Sequence, residues 1–374
     1  MIYFDNAATG GFKPRAVTDT ALSVLRFLTA NPGRSGHRLS VAGAKNLSDC
    51  RDAIADMFGC DSDKVIFTKN CTEALNIAIF GTINQGDHVI TTVYEHNSVL
   101  RPLFHLKEKG VISLDIVAPS LNIDIEQAIK NKICEKTKVI VTTSISNVTG
   151  DTLPVENIGA IAKSKGIIYI VDGAQGGGHI PLNLNGTGIS LLALAGHKGL
   201  SGIMGSGVLC IAEGIRVRPL IMGGTGSESF NLNQPDTYPE RLESGTLNLP
   251  AIAALKEGVM YVKNNMESFS KHLYSATERL IDNLSIIKNV TCYSVPNCAG
   301  IVSFALNNLP SAEVADILNA EYDIAVRGGL HCAPLIHKFL NTNEEGLVRV
   351  SLAVQNSSRE ISYFLRSVAE ISNR

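Results

Sequence analysis

Several classes of protein are excluded by what this chain lacks. No run of residues is both long and apolar enough to span a bilayer. The amino terminus, Met1-Ile2-Tyr3-Phe4-Asp5, has no basic region ahead of an apolar core, so a cytoplasmic protein is the expectation. Neither charge is in excess: 33 Lys and Arg stand against 35 Asp and Glu, for a formal charge of −2. Such a balance favours neither nucleic acid nor a charged membrane surface as partner, and leaves a small molecule as the default. The eight cysteines contain no CxxC pair and no regular spacing, which argues for reduced thiols and against a disulfide frame, a structural zinc or any other metal centre. Cys50, Cys60, Cys134 and Cys210 lie in helical or strand patterns and read as small core hydrophobes. No P-loop pattern occurs, so a nucleoside triphosphate is not expected. Internal repeats, low-complexity tracts and disordered linkers are also missing.

What is present is a long alternation of strand and helix patterns. With 374 residues, 45% of them hydrophobic, the chain can bury a large sheet and fits about two domains. Strands read at Val65–Thr68, Val89–Val93, Val111–Val117, Val139–Thr142, Ile167–Val171, Leu191–Leu194 and Gly207–Ile211, with helical patterns between most of them. Seven strands with crossover helices predict an α/β fold with a mostly parallel sheet covered on both faces, as a large domain over residues 16–250. Beyond Pro250 a long helical stretch gives way to shorter strands and helices, which predicts a smaller α+β domain from residues 1–15 and 251–374.

Chemistry enters at Ile167 to Lys198. The apolar run Ile167–Val171 ends in Asp172-Gly173-Ala174-Gln175, and the next, Leu191–Ala195, ends in Gly196-His197-Lys198. A lysine that closes an apolar segment is out of place, and a desolvated amine is a nucleophile toward carbonyls. In one parallel sheet Asp172 and Lys198 would emerge together at the carboxyl edge, where open α/β sheets bind ligands. That pair suits pyridoxal 5′-phosphate, with the lysine holding the aldehyde and the aspartate keeping the ring nitrogen protonated. A buried ion pair capping two strands is the alternative.

Other positions on the same edge fit a ligand site or an ordinary structural role. Val65–Thr68 followed by Lys69-Asn70-Cys71-Thr72-Glu73 is a strand, a polar turn and a helix start, which can seat a phosphate on free N–H groups and the Thr72 hydroxyl, or can be a plain capping box of Asn70 and Glu73. His96, in Tyr94-Glu95-His96-Asn97-Ser98, can stack on a cofactor and move protons or be a polar loop residue. Asn147 ends another strand. The exposed loop Asn31–Arg38 carries cations among glycines and reads as a solvated turn or an anion contact. In the carboxyl-terminal part, Arg327-Gly328-Gly329-Leu330-His331-Cys332 joins a strand to the next element through a glycine turn, with a thiol near a guanidinium. Arg349, in an alternating strand, is a carboxylate clamp or that strand's exposed face.

Together these segments resemble the class V, fold-type I pyridoxal-phosphate enzymes, and specifically the cysteine desulfurase and selenocysteine lyase family in its SufS-like, group II branch. The resemblance runs from Tyr3-Phe4-Asp5-Asn6-Ala7-Ala8-Thr9 to Arg327…His331-Cys332. It implies that Lys198 is the Schiff-base lysine, Asp172 the pyridinium partner, Gln175 the donor to the phenolic oxygen and His96 the ring-stacking acid or base. It implies further that Cys71, Thr72 and His197 hold the phosphate, with Thr246 reaching it from a second subunit of a homodimer. Asn147 and Arg349 would grip the substrate carboxylate, and Cys332 would take the sulfur of L-cysteine as a persulfide and leave L-alanine. Selenocysteine lyase, another class V aminotransferase and a non-catalytic sulfur carrier or scaffold are the other readings, and a sulfur-acceptor protein is a further partner. Three positions depart from the family pattern: Ala195 where a phosphate-binding serine is usual, Gly199-Leu200-Ser201-Gly202 after the lysine, and Leu330 before His331.

Overall fold

All seven apolar runs lie in one sheet in the computed structural model, which describes residues 1–374 apart from Asn308. In chain order the strands are β1 (Ile2–Tyr3), β2 (Val65–Thr68), β3 (His88–Thr92), β4 (Ser113–Val117), β5 (Thr137–Thr143), β6 (Ile168–Asp172), β7 (Leu191–Ala195), β8 (Gly207–Ile211), β9 (Val290–Cys292), β10 (Ile301–Leu306), β11 (Ile324–Ala325), β12 (Arg327–Gly329) and β13 (Leu347–Ser351). The α-helices are α1 (Arg15–Phe27), α2 (Arg38–Phe58), α3 (Cys71–Thr82), α4 (Asn97–Glu108), α5 (Ile125–Lys132), α6 (Val155–Ser164), the single turn α7 (Leu184–Thr187), α8 (Leu249–Ser285), α9 (Ser311–Tyr322), α10 (Pro334–Phe339) and α11 (Ser358–Ser372).

The large sheet has the order β2-β8-β7-β6-β5-β3-β4. Strand β8 is antiparallel to both of its neighbours, β2 and β7, while the remaining pairs are parallel. The carboxyl ends of β2, β3, β5, β6 and β7 therefore share one edge, and their amino ends share the other. Burial on both faces explains why these strands are continuous apolar runs, as in Leu191–Ala195, where every residue is buried. Gly207, at the start of β8, has no room for a side chain: a Cβ there would meet the backbone of Asn70 at 2.4 Å.

Helix α8 is 37 residues long and serves two cores. Its first turns pack Leu249, Ala253 and Ala254 against Val17, Ala21 and Val24 of α1. Its later turns send Leu273, Leu280 and Leu284 into a second core with Phe4, Phe304 and Phe364. That core lies on the antiparallel sheet β12-β13-β10-β9, and β1 joins the same region by pairing with β11. The short strands β1, β9 and β12 carry too few residues to show a period in the sequence. Arg327-Gly328-Gly329 is strand and not the expected turn; its glycines allow close packing, since a Cβ on Gly328 would lie 2.4 Å from the carbonyl oxygen of Ser311.

One of the four cysteines read as core, Cys134, is not, and another, Cys60, is only partly buried against the core. Cys60 follows the left-handed Gly59 that ends α2 and is half-buried, while Cys134 sits in the turn before β5 and is exposed. Cys50 and Cys210 are buried as expected.

A buried ion pair ties α2 to the segment ahead of α8. Arg51 Nη2 lies 2.5 Å from Glu243 Oε2, and Glu243 Oε1 also accepts from the Phe67 backbone N–H at 2.6 Å. Glu243→Ala would strand the Arg51 charge in the interior, so a loss of about 3–5 kcal/mol in denaturant unfolding is expected.

Candidate active site

Five segments at the carboxyl edge of the large sheet wall a cavity of about 490 Å³, open solvent at its mouth included. The β2–α3 turn supplies Asn70, Cys71 and Thr72; the β3–α4 turn supplies His96 and Ser98; the ends of β5 and β6 supply Thr143, Asn147, Asp172 and Gln175; and the end of β7 supplies Ala195, His197 and Lys198. Eight of the residues singled out in the sequence thus share one cavity: Cys71, Thr72, His96, Asn147, Asp172, Gln175, His197 and Lys198.

Asp172 is buried at 3% exposure and is held in place by the Ala174 backbone N–H, which donates to Oδ1 at 2.9 Å. The Cys71 thiol donates to the same oxygen at 3.5 Å, so the side chain expected at the phosphate turns toward the aspartate. Burial, with Asp172 next, pushes that thiol well above its ordinary pKa, so it is a neutral donor. Lys198 is lowered below the ordinary lysine range by burial, an effect opposed by Asp172. Desolvation and the carboxylate thus act in opposite directions on the same amine, and desolvation prevails.

The start of α3 supplies anion-binding groups. Asn70 caps it by accepting from the Glu73 N–H at 2.9 Å, while Glu73 reaches past Asn70 to accept from the Lys69 N–H at 2.6 Å, so only half of the expected capping box forms as read. The N–H groups of Cys71 and Thr72 bond no acceptor among the described residues and point out of the helix end, where a phosphate is favoured. Ser98 then links this seat to the histidine, with its hydroxyl 2.8 Å from Thr72 Oγ1 and 2.8 Å from His96 Nδ1. His96 also caps α4 by accepting from the Ser98 N–H at 3.1 Å, which fixes the ring. His197 bonds Thr9 Oγ1 at 3.1 Å and is lowered to about 4 by burial and the nearby Lys198, so its ring is neutral at ordinary pH.

Some expected residues have partners that narrow their roles. Gln175 donates from Nε2 to the Ala7 carbonyl at 3.0 Å and so spends one of its two protons on the amino-terminal strap. Asn147 donates to the His331 carbonyl at 2.7 Å and thereby holds the loop that bears Cys332. Cys332 and Arg349 stand beside the cavity and not in its wall. The Cys332 carbonyl accepts from the Asn97 N–H at 2.7 Å, one residue from His96, and Arg327 Nη2 lies 3.7 Å from its sulfur. Both His331 and Cys332 have left-handed backbone, φ 49° and 59°, a strained conformation for two consecutive side-chain-bearing residues.

Arg349 is 1% exposed, which overturns its reading as an exposed strand face. Its Nη1 donates to the Asn147 carbonyl at 3.0 Å and its Nη2 lies 2.9 Å from Asp5 Oδ1, while Nε has no partner among the described residues. Asp5 is the functional neighbour that sequence reasoning left without a role; a carboxylate directly after Ile2-Tyr3-Phe4 was its one signal. Arg327 and Arg349 are direct cross-strand partners in β12 and β13. Two like charges so placed favour any anion that joins them. Thr246 is elsewhere: it is exposed, ahead of α8, with Asn31 Nδ2 3.4 Å from its hydroxyl.

Glu95, unassigned in the sequence, is wholly buried behind His96. Its Oε1 accepts from Thr92 Oγ1 at 2.5 Å and from the Thr143 N–H at 3.1 Å, and its Oε2 has no partner among the described residues.

Comparison with known proteins agrees with this geometry over the whole chain. The aminotransferase class-V family matches residues 2–364. A probable cysteine desulfurase of Methanothermobacter thermautotrophicus is 32% identical, with 99% of this chain and 94% of the relative aligned. One of Pyrococcus abyssi is 33% identical over 99% of this chain and 94% of its own. The solved apo structure of cysteine desulfurase from Thermococcus onnurineus NA1 superposes with a TM-score of 0.90 at 33% identity, covering 100% of this chain and 94% of that one.

Burial raises the Glu95 carboxyl to about 8. An acid with a raised folded pKa adds its full stability below the unfolded value near 4.5 and loses it as pH climbs toward 8. The melting temperature of the wild type should therefore fall between pH 5 and 8 more steeply than that of Glu95→Gln, which has no charge to bury; the slope for one such group approaches ~1.4 kcal/mol per pH unit. Parallel pH profiles of the two proteins would contradict the assignment.

Proposed function

The chain belongs to the class V aminotransferase family and, within it, to the cysteine desulfurases, and on that premise we propose that it converts L-cysteine to L-alanine and takes the sulfur onto Cys332 as a persulfide. The observation that carries this reading is the buried amine of Lys198 beside the buried carboxylate of Asp172, with a thiol-bearing loop fastened to the same cavity through Asn147 and Asn97.

The residues present fit pyridoxal 5′-phosphate. A lysine depressed by burial suits its aldehyde, a carboxylate fixed at the end of β6 suits its ring nitrogen, and two unpaired N–H groups at the start of α3 suit its phosphate. When bound, the cofactor supplies an electron sink for charge that develops at the substrate Cα.

The protein's own groups do the rest. Lys198 would hold the aldehyde, and its free amine would be the base for the substrate Cα proton. Asp172, fixed by Ala174 and Cys71, would be the partner that keeps the ring nitrogen protonated. Thr72, His197 and the backbone at Cys71 would hold the phosphate, while Ala195 offers no hydroxyl there. His96, fixed by Ser98, would serve as acid or base at the cofactor ring, and Gln175 would offer its remaining proton to the phenolic oxygen. Asn147 and Arg349 would hold the substrate carboxylate, and the Cys332 sulfur, with Arg327 Nη2 3.7 Å away, would attack the substrate sulfur.

We place the protein in the cytoplasm as a homodimer. Its eight cysteines are free, as suits a reducing compartment, and no described helix is long and apolar enough to cross a membrane. The dimer reading is supported by exposed apolar side chains near Thr246. Met222, Phe230 and Leu232 are 70%, 104% and 101% exposed, in a segment tied to the Thr246 loop where the Gly245 N–H donates to the Gly224 carbonyl at 2.9 Å. A second copy that covered them would bring its Thr246 toward this cavity's phosphate seat, and a sulfur-acceptor protein would approach the Cys332 loop.

Cys332→Ala is expected to abolish alanine formation from L-cysteine while the yellow absorbance of the bound cofactor persists; unchanged turnover would remove the thiol from the reaction. Sedimentation should show a dimer whose dilution to monomer lowers activity, and a fully active monomer would rule out a shared site.

A further inference from the structure

A second thiol lies at the opposite edge of the large sheet, in a setting that the desulfurase reaction does not use. Cys134 occupies the turn that enters β5, where its backbone N–H donates to Thr137 Oγ1 at 2.8 Å and the Thr137 N–H donates to its carbonyl at 3.0 Å. The turn points the exposed sulfur back over its own end. Thr137 Oγ1 donates to Cys134 Sγ at 3.5 Å and lies 2.8 Å from His88 Nδ1, which is itself 3.6 Å from the sulfur. The other ring nitrogen, His88 Nε2, lies 3.5 Å from Asp115 Oδ2, and Lys132 Nζ approaches the same oxygen at 3.7 Å. Three neighbouring strands set this cluster: His88 opens β3, Thr137 opens β5, and Asp115 is on β4, which pairs with β3.

The order is that of an activated nucleophile: a thiol, a base within reach and a carboxylate that orients the base. Thr137 Oγ1 donates to the sulfur and bonds His88 Nδ1, while Asp115 Oδ2 faces His88 Nε2, so a proton that leaves the thiol has the His88 ring as its acceptor. The Thr137 hydroxyl, then the backbone N–H groups at Lys136 and Thr137, hold the Cys134 thiol below the ordinary cysteine range.

We propose that Cys134 is a thiol-exchange site, a sulfur-accepting nucleophile separate from Cys332 that attacks divalent sulfur in small disulfides and small persulfides. With a disulfide, a bond forms between Cys134 Sγ and one sulfur, the original S–S bond breaks, and the departing thiolate takes the proton held on His88. With a persulfide, attack on the outer sulfur leaves one sulfur on Cys134 and releases the inner one as the same kind of thiolate. Neither step needs another oxidant, because the electrophile brings the oxidised sulfur.

The test uses the full-length holoenzyme without L-cysteine, so that it does not depend on the proposed desulfurase reaction. Incubation with oxidised glutathione, followed by peptide mass mapping, should show the adduct on Cys134 forming about tenfold faster than on the half-buried Cys298. Exposure alone would leave that rate unchanged in His88→Gln and Thr137→Val, whereas the proposal expects both to slow it about tenfold with alanine production from L-cysteine unaltered. A parallel incubation of Cys332→Ala with glutathione persulfide should add one sulfur to Cys134. Equal rates at Cys134 and Cys298, or variants that react like the wild type, would overturn the site; a glutathione adduct without sulfur uptake from the persulfide would overturn its persulfide half.

Discussion

Everything at the carboxyl edge depends on the opposition between desolvation and a single carboxylate at Lys198. Burial lowers the amine and Asp172 raises it, and the resultant decides whether it can attack an aldehyde or merely closes an ion pair. The fold holds that opposition steady because β6 and β7 are adjacent and parallel, with Asp172 paired to Ala193 in the register. A slip of one residue would turn the acid or the lysine turn to the wrong face. The glycines around the site serve the same purpose: a Cβ on Gly173 would press within 3.0 Å of Leu192, Leu194 and Ala193 together.

The two sheets divide the work. The large one positions the groups that wall the cavity, and the small one carries Arg349 and the loop of Cys332. They are joined through α8, through the bonds of Asn147 and Asn97 to the Cys332 loop and to Arg349, and through the amino-terminal strap, where Asp5 pairs with Arg349 and Ala7 accepts from Gln175. Asp5 therefore opposes the effect of burial on the guanidinium as Asp172 opposes it on the lysine.

Much of this was legible in the sequence because buried parallel strands are uninterrupted apolar runs, and the polar residues that end them stand out. Asp172, Lys198, His96 and Asn147 were visible for that reason. What stayed hidden depends on contacts far apart in the chain. Arg349 alternates with apolar neighbours as an outward residue would, and only its bond to Asp5, 344 positions away, shows that it points inward. The Cys71 thiol was read with the helix end next to it, although its direction is set by Asp172, 101 positions on. Cys134 has apolar Ile133 beside it, but the turn closed by Thr137 lifts it out of the core.

The cross-strand pairing of Arg327 with Arg349 has one more consequence. If Arg349 takes the substrate carboxylate and Arg327 steadies the receiving sulfur, both ends of the amino acid are gauged against one small rigid sheet. Strands β12 and β13 then act as a ruler: a homologue one methylene longer would sit correctly at its acid end and overshoot at its thiol. Selectivity for chain length would thus be a property of strand register, set apart from the lysine at the carboxyl edge of the large sheet.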